Sequence, residues 1–138
     1  MPFTYGQWLK SKSSPFVEFT RGSTDVPGMF VKTGALENGG RNSDAYKGKV
    51  VILVNASTQS SAEYTAMAFQ SIPGAVTIGS TTAGADGNVS EIMLPGGIRT
   101  MISGIAVLYP DGTEMQRKGI KIDRKVQPTM KGIKEGRD

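Results

Sequence analysis

The sequence predicts an α/β fold, in which a β-α-β unit is followed by short antiparallel strands. Three observations lead to this prediction: an apolar run at residues 49–55, a helical periodicity at 60–72, and a second apolar run at 75–79. A strand that is apolar at nearly every position is typical of a parallel sheet buried on both faces. The 138 residues fit one domain, and the 18 glycines and 7 prolines favour turns over a helical bundle.

The segment before the first apolar run is predicted to be less regular. Residues 1–12 are compatible with a short amphipathic helix or with an irregular lead-in, and residues 15–20 alternate as a strand does. Residues 28–33 are a second candidate strand. Residues 34–48 are predicted to be a polar loop, because asparagine and glycine turn formers cluster there.

The central unit consists of two strands joined by a helix. The run KVVILVN at residues 49–55 is the first strand, and the run AVTIG is the second. Between them, Ala62, Ala66 and Phe69 recur at a helical spacing and are predicted to form the buried stripe of the helix. The Pro-Gly pair at residues 73–74 ends that helix.

Shorter elements are predicted after a loop of small residues. Strands are expected at residues 89–94, 98–103 and 104–109, because Pro-Gly-Gly and Pro-Asp-Gly turns bound them. A weaker strand signal lies at residues 119–122. Residues 128–138 are compatible with a short helix or a frayed tail.

The composition excludes several classes of function. The chain contains no cysteine, which excludes disulfides and thiolate metal sites, and no histidine, which removes the commonest general base and metal ligand. Its net charge is +4, but the basic residues near the end are interleaved with acidic ones and lack aromatic neighbours, so we predict no nucleic-acid binding. No stretch is long and apolar enough for a membrane span, and no cofactor is predicted.

The serines between the first strand and the helix admit two interpretations. Ser60 and Glu63 fit the capping box Ser-x-x-Glu, whose cap contributes about 1 kcal/mol to a helix. A serine at this place also lies at the carboxyl end of the sheet, where the helix N-terminus favours a developing oxyanion. The nucleophile-elbow pattern Gly-x-Ser-x-Gly is absent. The local pattern therefore leaves both capping and nucleophilic roles open.

An ordered set of motifs resembles the catalytic domain of the C-terminal processing (tail-specific) serine peptidases. The segments VILVNASTQSSAEYTAMAF, VTIGSTTAGADGNV and LPGGIRTMISGIAVLYPDGTEMQRKGIKID follow one another in the family's order and with sensible spacing. The resemblance implies the ClpP/crotonase-like α/β fold and a single partial catalytic domain. In that domain, residues 1–45 are a lead-in and loop, residues 46–123 are the matching core, and residues 124–138 are a tail.

The same resemblance implies the site residues. The family's nucleophile falls on Ser60, the backbone N–H of Ser61 becomes one oxyanion donor, and Gln116 lies near the distal supporting residue. Members with a Ser–Lys dyad carry their lysine where this chain has Ala85, whose methyl group cannot accept a proton. The tricorn-like branch uses a histidine, which this chain lacks.

The expected function is therefore the C-terminal part of a serine endopeptidase domain, inactive as this chain alone, with the base expected upstream of Met1. Lys118 and Lys121 lie in a polar tail with little desolvation, so neither is expected to replace that base. The alternatives are a non-catalytic peptide-binding or structural module and, more weakly, an acyl-CoA-handling crotonase relative. The expected partners are a protein or peptide substrate and a second copy through an unpaired strand edge. The family suggests an extracytoplasmic location, periplasmic or exported.

Overall fold

The computed structural model describes residues 2–137, which form mixed helices and strands. The helices are α1 (Pro2–Leu9), α2 (Ser61–Gln70) and α3 (Met130–Lys134). The strands are β1 (Ser14–Gly22), β2 (Phe30–Asn38), β3 (Val51–Val54), β4 (Val76–Gly79), β5 (Val89–Leu94), β6 (Ile98–Ser103), β7 (Val107–Leu108) and β8 (Arg124–Lys125). The predicted α/β class is confirmed. Helices form at both ends of the described chain, whereas Met1 and Asp138 lie outside the described residues.

The strands β3 and β4, joined by α2, form the predicted β-α-β unit. They pair in parallel with Val54 opposite Gly79, and β8 pairs in parallel with the other edge of β4. Parallel strands end at the same edge of a sheet, so the loops that follow β3 and β4 meet there. This edge brings Ser60 next to the small-residue loop at residues 80–88.

The prediction that the first strand is buried on both faces is wrong. Ile52 and Val54 of β3 are buried in the same core as α2, but Val51 is 55% exposed and Leu53 is 77% exposed. The apolar run shows that the strand can be buried on both faces. It does not show whether a second layer covers the other face, because that depends on distant parts of the structure.

The helix α2 buries a different stripe from the predicted one. Ala66 is buried and Phe69 packs partly buried against the core, as predicted, but Ala62 is exposed. Glu63 is completely buried in its place. A hydropathy pattern assigns a glutamate to the solvent side, whereas this carboxylate is buried because hydrogen bonds satisfy it.

A second sheet, in the order β2-β1-β7, packs against α2 and is antiparallel. The strand predicted at residues 15–20 is longer than predicted, and residues 34–38, predicted as loop, pair with β1 as part of β2. Phe16 and Val17 of β1 lie in one core cluster with Met67 of α2. This contact joins the two sheets through the helix.

The antiparallel part agrees with the prediction only in its first two strands. The strands β5 and β6 form the predicted hairpin, with Val89 opposite Ser103 and Leu94 opposite Ile98. The third predicted strand, at residues 104–109, is reduced to β7.

The weak strand predicted at residues 119–122 is wrong, because that segment is a loop and the strand β8 begins at Arg124. The loop is held by side chains: the Ile120 N–H donates to the Thr82 hydroxyl at 3.0 Å, and the Lys121 N–H donates to the Tyr109 hydroxyl at 2.9 Å. These bonds take the place of a strand ladder. Tyr109 is buried, and this burial raises the pKa of its hydroxyl to about 12, although the hydrogen bond from the Lys121 N–H opposes the rise.

Candidate active site

Ser60 occupies a strained turn between β3 and α2. It is the N-cap of α2, with φ 54° and ψ −123°. These angles correspond to the first central position of a type II′ turn, the mirror image of type II, where glycine is favoured. A non-glycine residue held there stores about 1–3 kcal/mol of strain. A strained strand-to-helix turn is also how a nucleophile elbow exposes its serine, and this one forms without the elbow's glycine pattern.

Ser60 is exposed and lines a groove of about 300 Å³. The walls of the groove come from the first turn of α2, from β1, from the loop after β4 and from the start of β5. The residues that matter for its chemistry are Ser60, Ser61, Tyr64, Asp86, Val89 and Ile105. Ser60 therefore lies beside a cleft rather than in the packed interior.

Ser61 is the first residue of α2 and is also exposed. The first backbone N–H groups of a helix have no acceptor within that helix, and they carry the positive end of its dipole. The N–H of Ser61 lies directly after the Ser60 carbonyl carbon. This is the place that an oxyanion donor beside Ser60 would occupy.

Glu63 ties the start of α2 to the loop after β4. One carboxylate oxygen accepts from the Thr82 hydroxyl at 2.5 Å and from the Gly84 N–H at 2.7 Å. The other accepts from the Ala85 N–H at 3.0 Å and from the Ser60 N–H at 3.2 Å. The contact with Ser60 is the Glu63 half of the predicted capping box, whereas the three bonds to the loop were not predicted. Together they hold the loop next to the serine.

Ala85 is the residue that the resemblance matches to the lysine of the Ser–Lys dyad. Its carbonyl oxygen accepts a hydrogen bond from the Ser60 N–H at 3.0 Å, so this loop residue and Ser60 are direct neighbours. The side chain at this position is a methyl group and offers no proton acceptor.

Gln116 lies in a cavity of about 570 Å³ that adjoins the groove. Its amide nitrogen donates to the Asp86 carbonyl at 2.6 Å and to the Ile105 carbonyl at 2.9 Å, and its amide oxygen accepts from the Val107 N–H at 3.2 Å. The side chain is partly buried, and all three of these bonds are made to backbone groups. Gln116 lies outside the residues that line the Ser60 groove.

Two groove residues were missed in the sequence. Asp86 is partly buried, and burial is the main cause that raises the pKa of its carboxyl group; Glu63 raises it further, while a hydrogen bond from the Gly87 N–H opposes the rise. Burial also raises the pKa of Tyr64, with a smaller contribution from Asp86. Asp86 directly follows Ala85, and the run Asp-Gly-Asn predicts a turn rather than a site.

Other candidate groups are engaged elsewhere. Lys118 pairs with Glu114 at 3.7 Å and Lys121 with Asp111 at 2.6 Å, and all four side chains are at least half exposed. Among residues 2–137, no three acidic side chains come together as metal ligands. In the described part of the chain, every helix also falls short of what a bilayer span requires.

The strain at Ser60 gives a prediction for folding stability. We expect Ser60→Gly to raise the free energy of unfolding by about 1 kcal/mol, because glycine relieves the strained φ and loses only part of that gain to unfolded-chain entropy. Ser60→Ala keeps the strain and loses the capping hydroxyl, so it should be less stable than the wild type by about 1 kcal/mol. Urea unfolding of the three proteins measures this. A glycine variant less stable than the wild type would contradict the strain at this turn.

An exposed serine on a strained turn where a strand meets a helix also occurs in the nucleophile elbow of α/β-hydrolases. Residues 7–126 match the family model of Peptidase family S41, so the chain belongs to that family. The resemblance to the C-terminal processing peptidases is confirmed at the level of the family, and with it the assignment to the proteases. No protein of curated function matches the chain.

Solved structures share the fold at low sequence identity. A candidate peptidase from Parabacteroides merdae superposes with a TM-score of 0.84 at 19% identity, over 98% of this chain and 42% of its own. Mature CPAF in complex with lactacystin gives a TM-score of 0.75 at 12% identity, over 94% and 37% of the two chains. The photosystem II D1 C-terminal processing protease gives 0.63 at 19% identity, over 89% and 30%. The chain thus spans less than half the length of these proteins.

Proposed function

We propose that this chain is the part of a serine endopeptidase catalytic domain that carries the nucleophile, Ser60. The observation that supports the proposal most is an exposed serine on a strained strand-to-helix turn, beside a groove, in a chain of Peptidase family S41. Glu63 and Gln116 act as positioning residues, because they hold the loop next to Ser60 in place.

The proposed reaction is acyl transfer through Ser60. The serine oxygen attacks the peptide carbonyl carbon while its proton passes to a base, and the N–H of Ser61 donates to the oxyanion that forms. The amine leaves with a proton from that base, and water then hydrolyses the ester to release the acid and restore the serine. Because Ala85 supplies no base, we propose that the base and a second oxyanion donor come from polypeptide other than these 138 residues, and that the chain alone is nearly inactive.

The test uses the natural polypeptide that contains these residues, whatever its length. A serine-directed fluorophosphonate and an unfolded protein substrate are offered to the wild type, to Ser60→Ala and to Ser61→Ala. We expect Ser60→Ala to abolish labelling by the fluorophosphonate and to lower the cleavage rate by at least about a thousandfold. Ser61→Ala keeps its backbone N–H and should retain most of both. Equal cleavage by Ser60→Ala, or labelling at another residue, would show that Ser60 is not the nucleophile.

A second candidate function is a non-catalytic peptide-binding or structural module on the same fold. The methyl group at Ala85 and the absence of histidine favour it. It predicts peptide binding that Ser60→Ala leaves unchanged, together with no labelling of the wild type by the fluorophosphonate. The same experiment therefore separates the two functions.

The partners and the location remain part of the proposal. In the described residues β3 is the outer strand of its sheet, with Leu53 exposed, and such an edge can pair with a further strand or a second copy. The substrate is proposed to be an extended peptide held by backbone bonds. An extracytoplasmic location rests on the family resemblance.

A further inference from the structure

The cavity next to the Ser60 groove is separate from the groove but shares two residues with it. Asp86 and Ile105 line both spaces, whereas Ser60 lines only the groove. A peptide whose carbonyl lies at Ser60 could therefore place a neighbouring side chain past Asp86 into the cavity. At about 570 Å³, the cavity is large enough for one long side chain together with water.

Asp86 has an unsatisfied oxygen at this boundary. Its Oδ1 accepts from the Gly87 N–H at 2.7 Å, but its Oδ2 is buried and has no hydrogen-bond partner in the described structure. Buried polar atoms are nearly always paired, and an unpaired one destabilises the protein. The torsion that turns a carboxylate about its last bond is soft, so a donor in the cavity can bring Oδ2 round to meet it.

The charged groups around Asp86 are of both signs. Glu63 raises the pKa of Asp86, and Asp86 raises the pKa of Tyr64, so both residues lie close to Asp86. Across the cavity, Glu114 and Arg117 also line the wall. Glu114 is paired with a surface lysine. The Arg117 backbone is held by a 2.6 Å bond from its N–H to the Gly84 carbonyl, and no ion pair joins its side chain to Asp86 in the described residues.

The remaining walls of the cavity suit a methylene chain. Phe30, Ile105 and Ala106 present carbon surface, and Gly104 presents no side chain. An apolar channel with a carboxylate at one side fits a side chain that has an aliphatic stem and a positively charged end. Lysine and arginine are the natural side chains of this kind.

We propose that this cavity binds a lysine or arginine side chain of the peptide, and that Asp86 Oδ2 accepts a hydrogen bond from its charged end. Asp86 is then a specificity-determining residue for the site at Ser60. The inference rests on the proposed function for the nature of the ligand. The recognition itself needs no chemistry at Ser60.

The test measures peptide binding in the natural polypeptide that carries Ser60→Ala, so that cleavage does not interfere. The probes are acetyl-Ala-Ala-X-Ala-amide peptides in which X is lysine, arginine or norleucine, and norleucine matches the lysine stem without its charge. NMR shifts of the backbone N–H groups of Gly87 and Ile105 report binding. We expect the lysine and arginine peptides to bind at least tenfold more tightly than the norleucine peptide.

The matched variants separate Asp86 from the other carboxylate. Asp86→Asn should reduce the tenfold preference to less than twofold, whereas Glu114→Gln should change it by less than threefold. Arg117→Ala should strengthen lysine binding several-fold, because it removes a competing positive charge. Asp86→Asn should fold normally, since it removes an unpaired buried charge, and thermal unfolding verifies this.

The inference is overturned if no peptide binds, or if the protein with Asp86 binds the lysine and arginine peptides no more tightly than the norleucine peptide. It is also overturned if the Asp86→Asn variant keeps the preference for the lysine and arginine peptides. These outcomes differ from a failure of the proposed function. A lysine preference without fluorophosphonate labelling would contradict the proposed peptidase function and support the binding site for a positively charged side chain. Labelling at Ser60 without any lysine preference would support the peptidase function and contradict that binding site.

Discussion

Glu63→Gln is expected to lower the free energy of unfolding by about 3 kcal/mol. The carboxylate is completely buried and accepts four hydrogen bonds, two at each oxygen. The glutamine amide has only one accepting oxygen, so its NH₂ group must replace the other carboxylate oxygen and face the donors there. If the NH₂ group replaces the oxygen near Thr82, the Thr82 hydroxyl can rotate to accept from it, but the Gly84 N–H is left facing a donor. If it replaces the other oxygen, the N–H groups of Ala85 and Ser60 are left facing a donor. Buried donors without acceptors cost about 1–3 kcal/mol each.

Urea unfolding of Glu63→Gln measures this loss as a lower transition midpoint. The control is Glu91→Gln, because Glu91 is exposed on the hairpin and pairs with Arg99 at 3.7 Å. An exposed ion pair of this kind contributes little, so the control should lose less than about 0.5 kcal/mol. If Glu63→Gln also loses less than about 1 kcal/mol, the carboxylate does not hold the loop as described.

This result would bear on the site as well as on stability. The bonds from Glu63 reach the N–H groups of Gly84 and Ala85, and Ala85 in turn accepts from the Ser60 N–H. The side chain thus connects the helix that begins at the serine with the loop that forms the opposite wall. We expect Glu63→Gln to disturb the groove even where the protein still folds.

Gly79→Ala is expected to destabilise the fold by about 4 kcal/mol or more. Gly79 has a φ of 143°, and a Cβ atom built on it would lie 1.7 Å from the carbonyl oxygen of Val54. That oxygen belongs to the backbone of β3 and accepts the Ser80 N–H, so it cannot move aside without opening the strand pair. A clash of this size combined with an unfavourable φ belongs to the most damaging kind of substitution.

The matched control is Gly74→Ala. Gly74 also has a positive φ, of 76°, but a Cβ atom there meets nothing within 4 Å. Gly74→Ala should therefore lower the free energy of unfolding by only about 1 kcal/mol, which is the cost of placing an alanine at a positive φ. Urea unfolding compares the two variants, and the soluble yield serves where Gly79→Ala does not fold. Equal losses for both would show that the approach of Gly79 to Val54 has no energetic consequence.

Much of the local structure could be predicted because its causes lie in neighbouring residues. The β-α-β unit follows from two apolar runs and a helical period, and the hairpin of β5 and β6 follows from alternation around Pro-Gly-Gly. Ser60 could be singled out by the same means, since the capping box marks the start of a helix. Its role in catalysis stays a prediction.

Other features could not be predicted, because their causes are distant in the chain. Glu63 is buried since Thr82, Gly84 and Ala85 approach it from a loop about 20 residues further on. Leu53 is exposed because no layer in the described chain covers that face of β3. Neither a hydropathy period nor a turn motif contains this information.

The sequence by itself determined the β-α-β unit, the hairpin of β5 and β6, and which serine stands between a strand and a helix, because periodicity and turn residues act over a few positions. Only the tertiary structure decided the conformation of that serine and what surrounds it. The positive φ of Ser60, the burial of Glu63 and the unpaired oxygen of Asp86 all arise where the loop after β4 meets the start of α2. Such contacts depend on how separate segments pack, and packing joins residues that are neighbours in space alone.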